Sequence, residues 1–256
     1  TFNPRDIFGS HDDSDHVYNT PRAWYMARCL NPSTMNWDGP DADFTPLSDD
    51  IPWCMVPEKK VTIEDVKYVL SSHFQGTPYD PYASYGDKSM KGAYRAIGVN
   101  RTDFLGIIQM RPDAGEDSRA IEWVAFASNV FNTTAPFYTD VEKVPEYFSN
   151  TTGDASTDNF YWASRMIAAM ADASYSKSIF HIERYQERVM SKGHEYINQY
   201  DELLEKESNA EKRMQLRQEA NEKIADMVKK ETQDTLNKVL YELSNQMKNA
   251  YSRSDA

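Results

Sequence analysis

The stretch AIEWVAFASNVFNTTAPFYTD (Ala120–Asp140) changes character midway. Its first part, Ala120–Phe131, is rich in β-branched and aromatic side chains, with apolar residues in both alternate registers. That pattern predicts a strand in a sheet covered on both faces. Asn132, Thr133 and Thr134 interrupt the run before APFYTD resumes it or turns away. Just upstream, YRAIGVNRTDFLGIIQMRP (Tyr94–Pro112) reads as a β-hairpin: two β-rich runs flank the polar turn NRTD, and Pro112 closes the second.

Helices are predicted on either side of this sheet. Thr20 can cap free N–H groups, and Pro21 fits a first helical position because it has no N–H to lose. The helix that follows places Trp24, Ala27, Cys29 and Leu30 on one stripe and ends at Asn31-Pro32. Thr62 with Asp65 forms a variant capping box for IEDVKYVLSSHF (Ile63–Phe74), which Gly76 stops.

From Phe160 onward the reading is almost entirely helical. NFYWASRMIAAMADASY is apolar nearly all round and is expected to be buried. Ile182, Tyr185 and Val189 share a face, as do Ile224, Met227 and Val228 with Leu236, Val239, Leu240 and Leu243. The charged segment Tyr200–Lys223 predicts a solvated bend or hairpin between two long helices. No proline follows Pro145, and NTTGDASTDN (Asn150–Asn159) is rich in turn residues. The expected organisation is a sheet-containing part, 1–158, and a helical region, 159–256, of α+β class.

The net charge of −12 over 256 residues repels phosphate backbones, which argues against nucleic acid. No apolar run reaches the roughly 20 residues that span a bilayer, and no secretory signal opens the sequence. Two cysteines, Cys29 and Cys54, make neither a disulfide framework nor a metal cluster. A reducing cytoplasm is the expected compartment, with no metal or cofactor.

Several residue groups invite chemistry. Cys29 lies inside an amphipathic helix and Cys54 in an extended apolar segment, so both read as small buried hydrophobes rather than nucleophiles. HDDSDH (His11–His16) is dense enough in carboxylates and imidazoles to suggest a divalent ion, but charge runs are more often solvated surface. His73, His181 and His194 are isolated and read as structural. Thr1 invites comparison with terminal-threonine nucleophiles that use their own amine as base, although the Asn3-Pro4 step after it reads as a turn. Asn129, Asn132, Thr133 and Thr134 cluster where a buried strand ends. Side-chain amides there are placed to donate to an oxyanion or to hold a substrate backbone; the plain alternative is a polar strand exit. Sequons at Asn100, Asn132 and Asn150 carry little weight without a secretory signal.

Four segments together resemble the bacterial cysteine dipeptidases of the dipeptidase A type: YNTPRAWYMARCLNP, SDDIPWCMVPEKKVTIEDVKYVLSSHFQGTPYDPY, YRAIGVNRTDFLGIIQMR and WVAFASNVFNTTAPFYTDV. The resemblance runs from Asn3 to about Tyr175 and more weakly into the helical tail. It implies an N-terminal-nucleophile hydrolase, a four-layer αββα sandwich with a cysteine as first residue of the mature chain. That family's free α-amine serves as general base, and the reaction passes through a thioester. Neither Cys29 nor Cys54 matches the nucleophile, so the chain is expected to be a C-terminal portion whose catalytic cysteine lies upstream of Thr1. By the same resemblance, Asn129, Asn132, Thr133, Arg101 and Arg111 are candidates for holding the oxyanion or the substrate carboxylate. The expected partners are dipeptide substrates, the missing N-terminal segment and further copies of the chain. Two other readings stay open: a non-catalytic helical oligomerisation module, and a self-contained amidase using Thr1.

Overall fold

A computed structural model describes residues 3–248, and the chain divides into two compact units, Thr1–Val99 and Asn100–Ala256.

The first unit holds helices α1 (Pro4–Phe8), α2 (Asp15–Tyr18), α3 (Thr20–Leu30) and α4 (Ile63–Leu70) and long ordered loops. Its core is aromatic: Trp24, Tyr25, Trp37 and Phe74 are buried with Ile51. Large rings carry a polar handle, and here the handles pin the loops. Trp24 Nε1 donates to the Phe44 carbonyl at 3.0 Å, Trp37 Nε1 to Asn31 O at 2.8 Å and the Tyr25 hydroxyl to Gln75 O at 2.9 Å. Asn19, not Thr20, occupies the cap position of α3, and Thr20 is buried in the first turn beside Pro21. The buried stripe runs through Trp24 and Tyr25, while Ala27 and Cys29 are only partly covered. The capping box of α4 forms as expected, with Asp65 N on Thr62 Oγ1 at 3.1 Å and Thr62 N on Asp65 Oδ2 at 3.0 Å. The helix stops at Leu70, four residues earlier than the sequence suggested. Ser72 to Thr77 instead make a tight turn, buried at Ser72–Phe74 and Thr77, in which Phe74 (φ 65°) and the exposed Gly76 (φ 76°) both adopt left-handed backbone.

The second unit carries a three-stranded antiparallel sheet in the order β1 (Phe104–Met110), β2 (Ala120–Phe126), β3 (Ala135–Tyr138). The expected hairpin partner Tyr94–Val99 is not a strand. Tyr94 and Ile97 pack on the aromatic core of the first unit, and β1 pairs with β2 instead, Phe104 opposite Phe126 and Met110 opposite Ala120. Strand β2 ends at Phe126, and β3 turns back beside it. Ile107, Ile121, Trp123, Ala125 and Tyr138 fill the buried face, whereas Phe104, Ile108 and Met110 on the other face are more than half exposed. Among the described residues one face of the sheet is packed and the other is largely open.

Helices α5 (Glu146–Ser149), α6 (Phe160–Ala173), α7 (Tyr175–Lys206) and α8 (Ala210–Ser244) complete the unit, with α6, α7 and α8 packed on the strands and on one another. The predicted hairpin between long helices falls at residues 207–209, where Asn209 caps α8 through Lys212 N at 3.0 Å. Only one face of α6 is buried, through Phe160, Ala163, Ser164, Ile167 and Ala171. Leu240 is exposed. Gly193 lets α7 approach β3: a Cβ there would lie 2.7 Å from Pro136 Cδ. Asn221 of α8 accepts from Tyr138 N at 2.9 Å and donates to Tyr138 O at 3.0 Å, so one buried amide satisfies a backbone pair at the sheet edge. The compositional change at 158/159 falls inside this unit, where sheet and helices share a core.

Candidate functional site

The loop between β2 and β3, Ala127 to Thr134, is buried throughout. Loops usually stay near water because their backbone polar groups need partners. Here side chains supply them. Ala127 takes a left-handed conformation (φ 65°), turning the chain sharply out of β2. Asn132 Nδ2 donates to Phe126 O at 2.8 Å, Ala127 O at 3.0 Å and Asn129 Oδ1 at 3.2 Å. From α7, Gln186 Nε2 reaches the carbonyls of Val130 (3.2 Å) and Asn132 (2.8 Å). What remains is specific: Thr133 and Thr134 are fully buried, and neither hydroxyl has a hydrogen-bond partner among the described residues. A buried hydroxyl left unpaired costs about 1–3 kcal/mol, so this loop keeps donor capacity in reserve.

The structure thus brings Asn129, Asn132 and Thr133 together. The Asn132 amide is spent on the loop's own carbonyls, which makes it a brace for the turn. Arg101 is exposed at the same end of the sheet, three residues ahead of β1, and makes no ion pair among the described residues. Arg111 sits at the opposite end, roughly 20 Å away along a seven-residue strand. Its guanidinium is paired with Asp201 on α7 and with the Ser118 carbonyl, so its charge is used in joining the β1–β2 connection to a helix. Beside it, Arg213 and the buried Arg217 both grip Asp117, holding that carboxyl below its usual range.

In the first unit, burial raises the Cys29 thiol to about 11, which leaves little thiolate at neutral pH. Cys54 is exposed beside the half-exposed Trp53, correcting the expectation that it is a buried hydrophobe. Asp15, in the acidic loop, accepts from Ser10 N, Ser10 Oγ, His11 N and Asn19 Nδ2 at 2.5–3.0 Å. His11 and His16 lean on Asp49, at 3.4 and 3.0 Å. The carboxylates there cap turns, and among the described residues no group of three or more His, Cys, Asp or Glu could hold a metal ion. Thr1 lies outside the described residues. His73 is not isolated: its Nδ1 lies 2.9 Å from Asp80 Oδ1 in the buried turn after α4.

Sequence reasoning missed Gln186, Asn221 and Lys67. Lys67 is buried on α4 with its ammonium on Ser71 Oγ at 2.6 Å, and desolvation lowers it to about 7. The i, i+4 series Ile63, Lys67, Ser71 on the apolar side of the helix was the available signal.

A three-stranded sheet backed by long helices, with a buried polar loop at the strand exit, defines an α+β architecture. Residues 1–188 match the sequence profile of peptidase family C69, and the chain belongs to that family. It is 45% identical to a dipeptidase of Bifidobacterium longum over 99% of this chain and 55% of that protein. A probable dipeptidase A of Streptococcus pyogenes is also 45% identical, over 99% of this chain and 51% of the relative. A probable dipeptidase B of Lactococcus lactis is 33% identical over the same 99% share and 51% of its own length. The chain spans about half the length of these relatives.

Proposed function

We propose that this chain is part of a longer cysteine dipeptidase with an αββα sandwich, and that the nucleophile is a cysteine heading the mature polypeptide, upstream of Thr1. In that reading the free α-amine takes the thiol proton. The sulfur adds to the dipeptide carbonyl, the carbon–nitrogen bond breaks as the leaving amine is protonated, and water hydrolyses the thioester. The loop of Asn129, Asn132 and Thr133 forms a wall of the reaction chamber. Asn132 holds its shape, and the unspent Thr133 hydroxyl is available to the oxyanion. Arg101, at the same sheet end, is the candidate for the substrate carboxylate.

The observation that carries the reading is 45% identity to a dipeptidase across nearly the whole chain, covering only about half of that relative. The interior thiols agree with it, one held protonated by burial and the other on the surface. Dipeptide hydrolysis is therefore expected from the full-length enzyme but not from residues 1–256 alone. Cys29→Ala and Cys54→Ala are expected to leave full-length turnover within about twofold of wild type, because neither thiol touches substrate. Hydrolysis by the isolated chain, or its loss on replacing either interior cysteine, refutes the proposal.

A second role, contact between copies, is favoured by Phe180, Leu240 and Tyr241, which are all more than half exposed on α7 and α8. Light scattering coupled to size exclusion on Leu240→Lys/Tyr241→Lys tests it; an unchanged mass removes these residues from any oligomer contact.

A further inference from the structure

Two consecutive residues of the β2–β3 loop hold unpaired donors. Thr133 and Thr134 are fully buried, and neither their hydroxyls nor their backbone N–H groups meet a hydrogen-bond acceptor among the described residues. Buried backbone N–H groups without a partner are rare. Two in a row, beside two idle hydroxyls, mark a loop whose conformation is imposed by other contacts. Ala127, at φ 65°, adds strain at the loop's entry.

One imposing contact comes from α7. Gln186 Nε2 spends its two N–H bonds on Val130 O (3.2 Å) and Asn132 O (2.8 Å). The second carbonyl belongs to the same peptide as the Thr133 N–H. A planar trans peptide sets C=O and N–H in opposite directions, and no described peptide bond is cis. With the Asn132 carbonyl drawn to the Gln186 amide, the Thr133 N–H points away from that amide. Half a turn of this peptide would put a carbonyl oxygen where the donor stands, and an oxygen repels the anion that an N–H attracts. We propose that Gln186 is a positioning residue for the hydrolysis: it locks the Asn132–Thr133 peptide so that Thr133 presents its N–H, together with its hydroxyl, to the oxyanion. The assignment rests on the dipeptidase reading above and adds a helix residue that acts through the loop. The donors it aims are withdrawn from water, where a hydrogen bond to developing charge is worth most.

In the full-length enzyme, Gln186→Met removes both N–H bonds at nearly constant volume, and Gln186→Glu sets a carboxylate against the two carbonyls. Each should lower kcat by about tenfold to a hundredfold, up to the range of losing an oxyanion donor outright. KM for dipeptides should stay within about twofold. For Gln186→Glu, the kcat ratio to wild type should climb as pH falls from about 7.5 to about 5, because a protonated carboxyl regains one donor. Asn221→Leu is the control: it loosens the far end of β3 and should leave kcat within about twofold. NMR of residues 1–256 reads the lock itself. A coupling through the hydrogen bond should join Gln186 Nε2 to the Asn132 carbonyl carbon in the wild type, and Gln186→Met should shift that carbon and the Thr133 amide. A missing coupling, kcat kept in both variants, a flat pH ratio, or an equal kcat loss in Asn221→Leu each overturn the lock. A wild type that cleaves no dipeptide overturns the dipeptidase reading and the positioning role with it. An active wild type whose Gln186 variants match it overturns the positioning role alone.

Discussion

Lys67 is buried on α4 and its ammonium is lowered to about 7 by desolvation, whereas an unfolded lysine titrates near 10.4. Between those values the unfolded chain binds a proton that the folded unit has shed. The stability of the first unit should therefore rise with pH from about 7 to about 9.5, before tyrosine ionisation in the unfolded chain intervenes. Below pH 7 the buried charge weighs fully on the folded state. Urea unfolding followed by the fluorescence of Trp24 and Trp37 checks this. Lys67→Met should flatten the rise and increase stability at pH 6; a slope unchanged by the substitution contradicts the assignment. The two thiols should also part company. At pH 8 iodoacetamide is expected to modify Cys54 rapidly and Cys29 only after unfolding, as read by mass spectrometry.

At the scale of elements, two helix residues set the seat of the sheet. Gly193→Ala drives a methyl against the Pro136 ring and should destabilise the second unit by roughly 1–3 kcal/mol, offset in part by about 1 kcal/mol of better helix propensity. Asn221→Leu strands the Tyr138 N–H and carbonyl, and about 2–4 kcal/mol should be lost, since each buried orphan costs about 1–3 kcal/mol. Denaturant midpoints measure both changes. Neither residue announces itself in the sequence, because Asn221 is 83 positions from the strand it completes and Gln186 is 54 from the carbonyl it satisfies. What was legible is local. The capping box at Thr62 and Asp65, the long C-terminal helices and the polar exit at Asn129–Thr134 rest on neighbours within a few residues. The false hairpin at Tyr94–Val99 failed for the opposite reason: β-prone side chains were claimed by a distant aromatic core rather than by the next strand.

At the scale of the whole molecule, the open sheet face governs behaviour. Phe104, Ile108 and Met110 expose apolar surface that an isolated soluble unit ordinarily hides. Residues 1–256 should consequently bind a hydrophobic dye such as anilinonaphthalene sulfonate under native conditions, and Ile108→Lys should reduce that fluorescence without changing the far-ultraviolet circular dichroism. Unaltered dye binding in the variant would place the apolar surface elsewhere.

The order of the strands carries a further consequence. Residues at every second position of β3 direct their backbone groups away from β2. Of these, Pro136 has no N–H to offer, and Tyr138 has given both of its groups to Asn221. That margin offers no free N–H at either position, whereas among the described residues β1 has a strand neighbour on one side only. Among the described residues the ladder groups left to an incoming strand, native or aberrant, lie chiefly on the Phe104–Met110 flank.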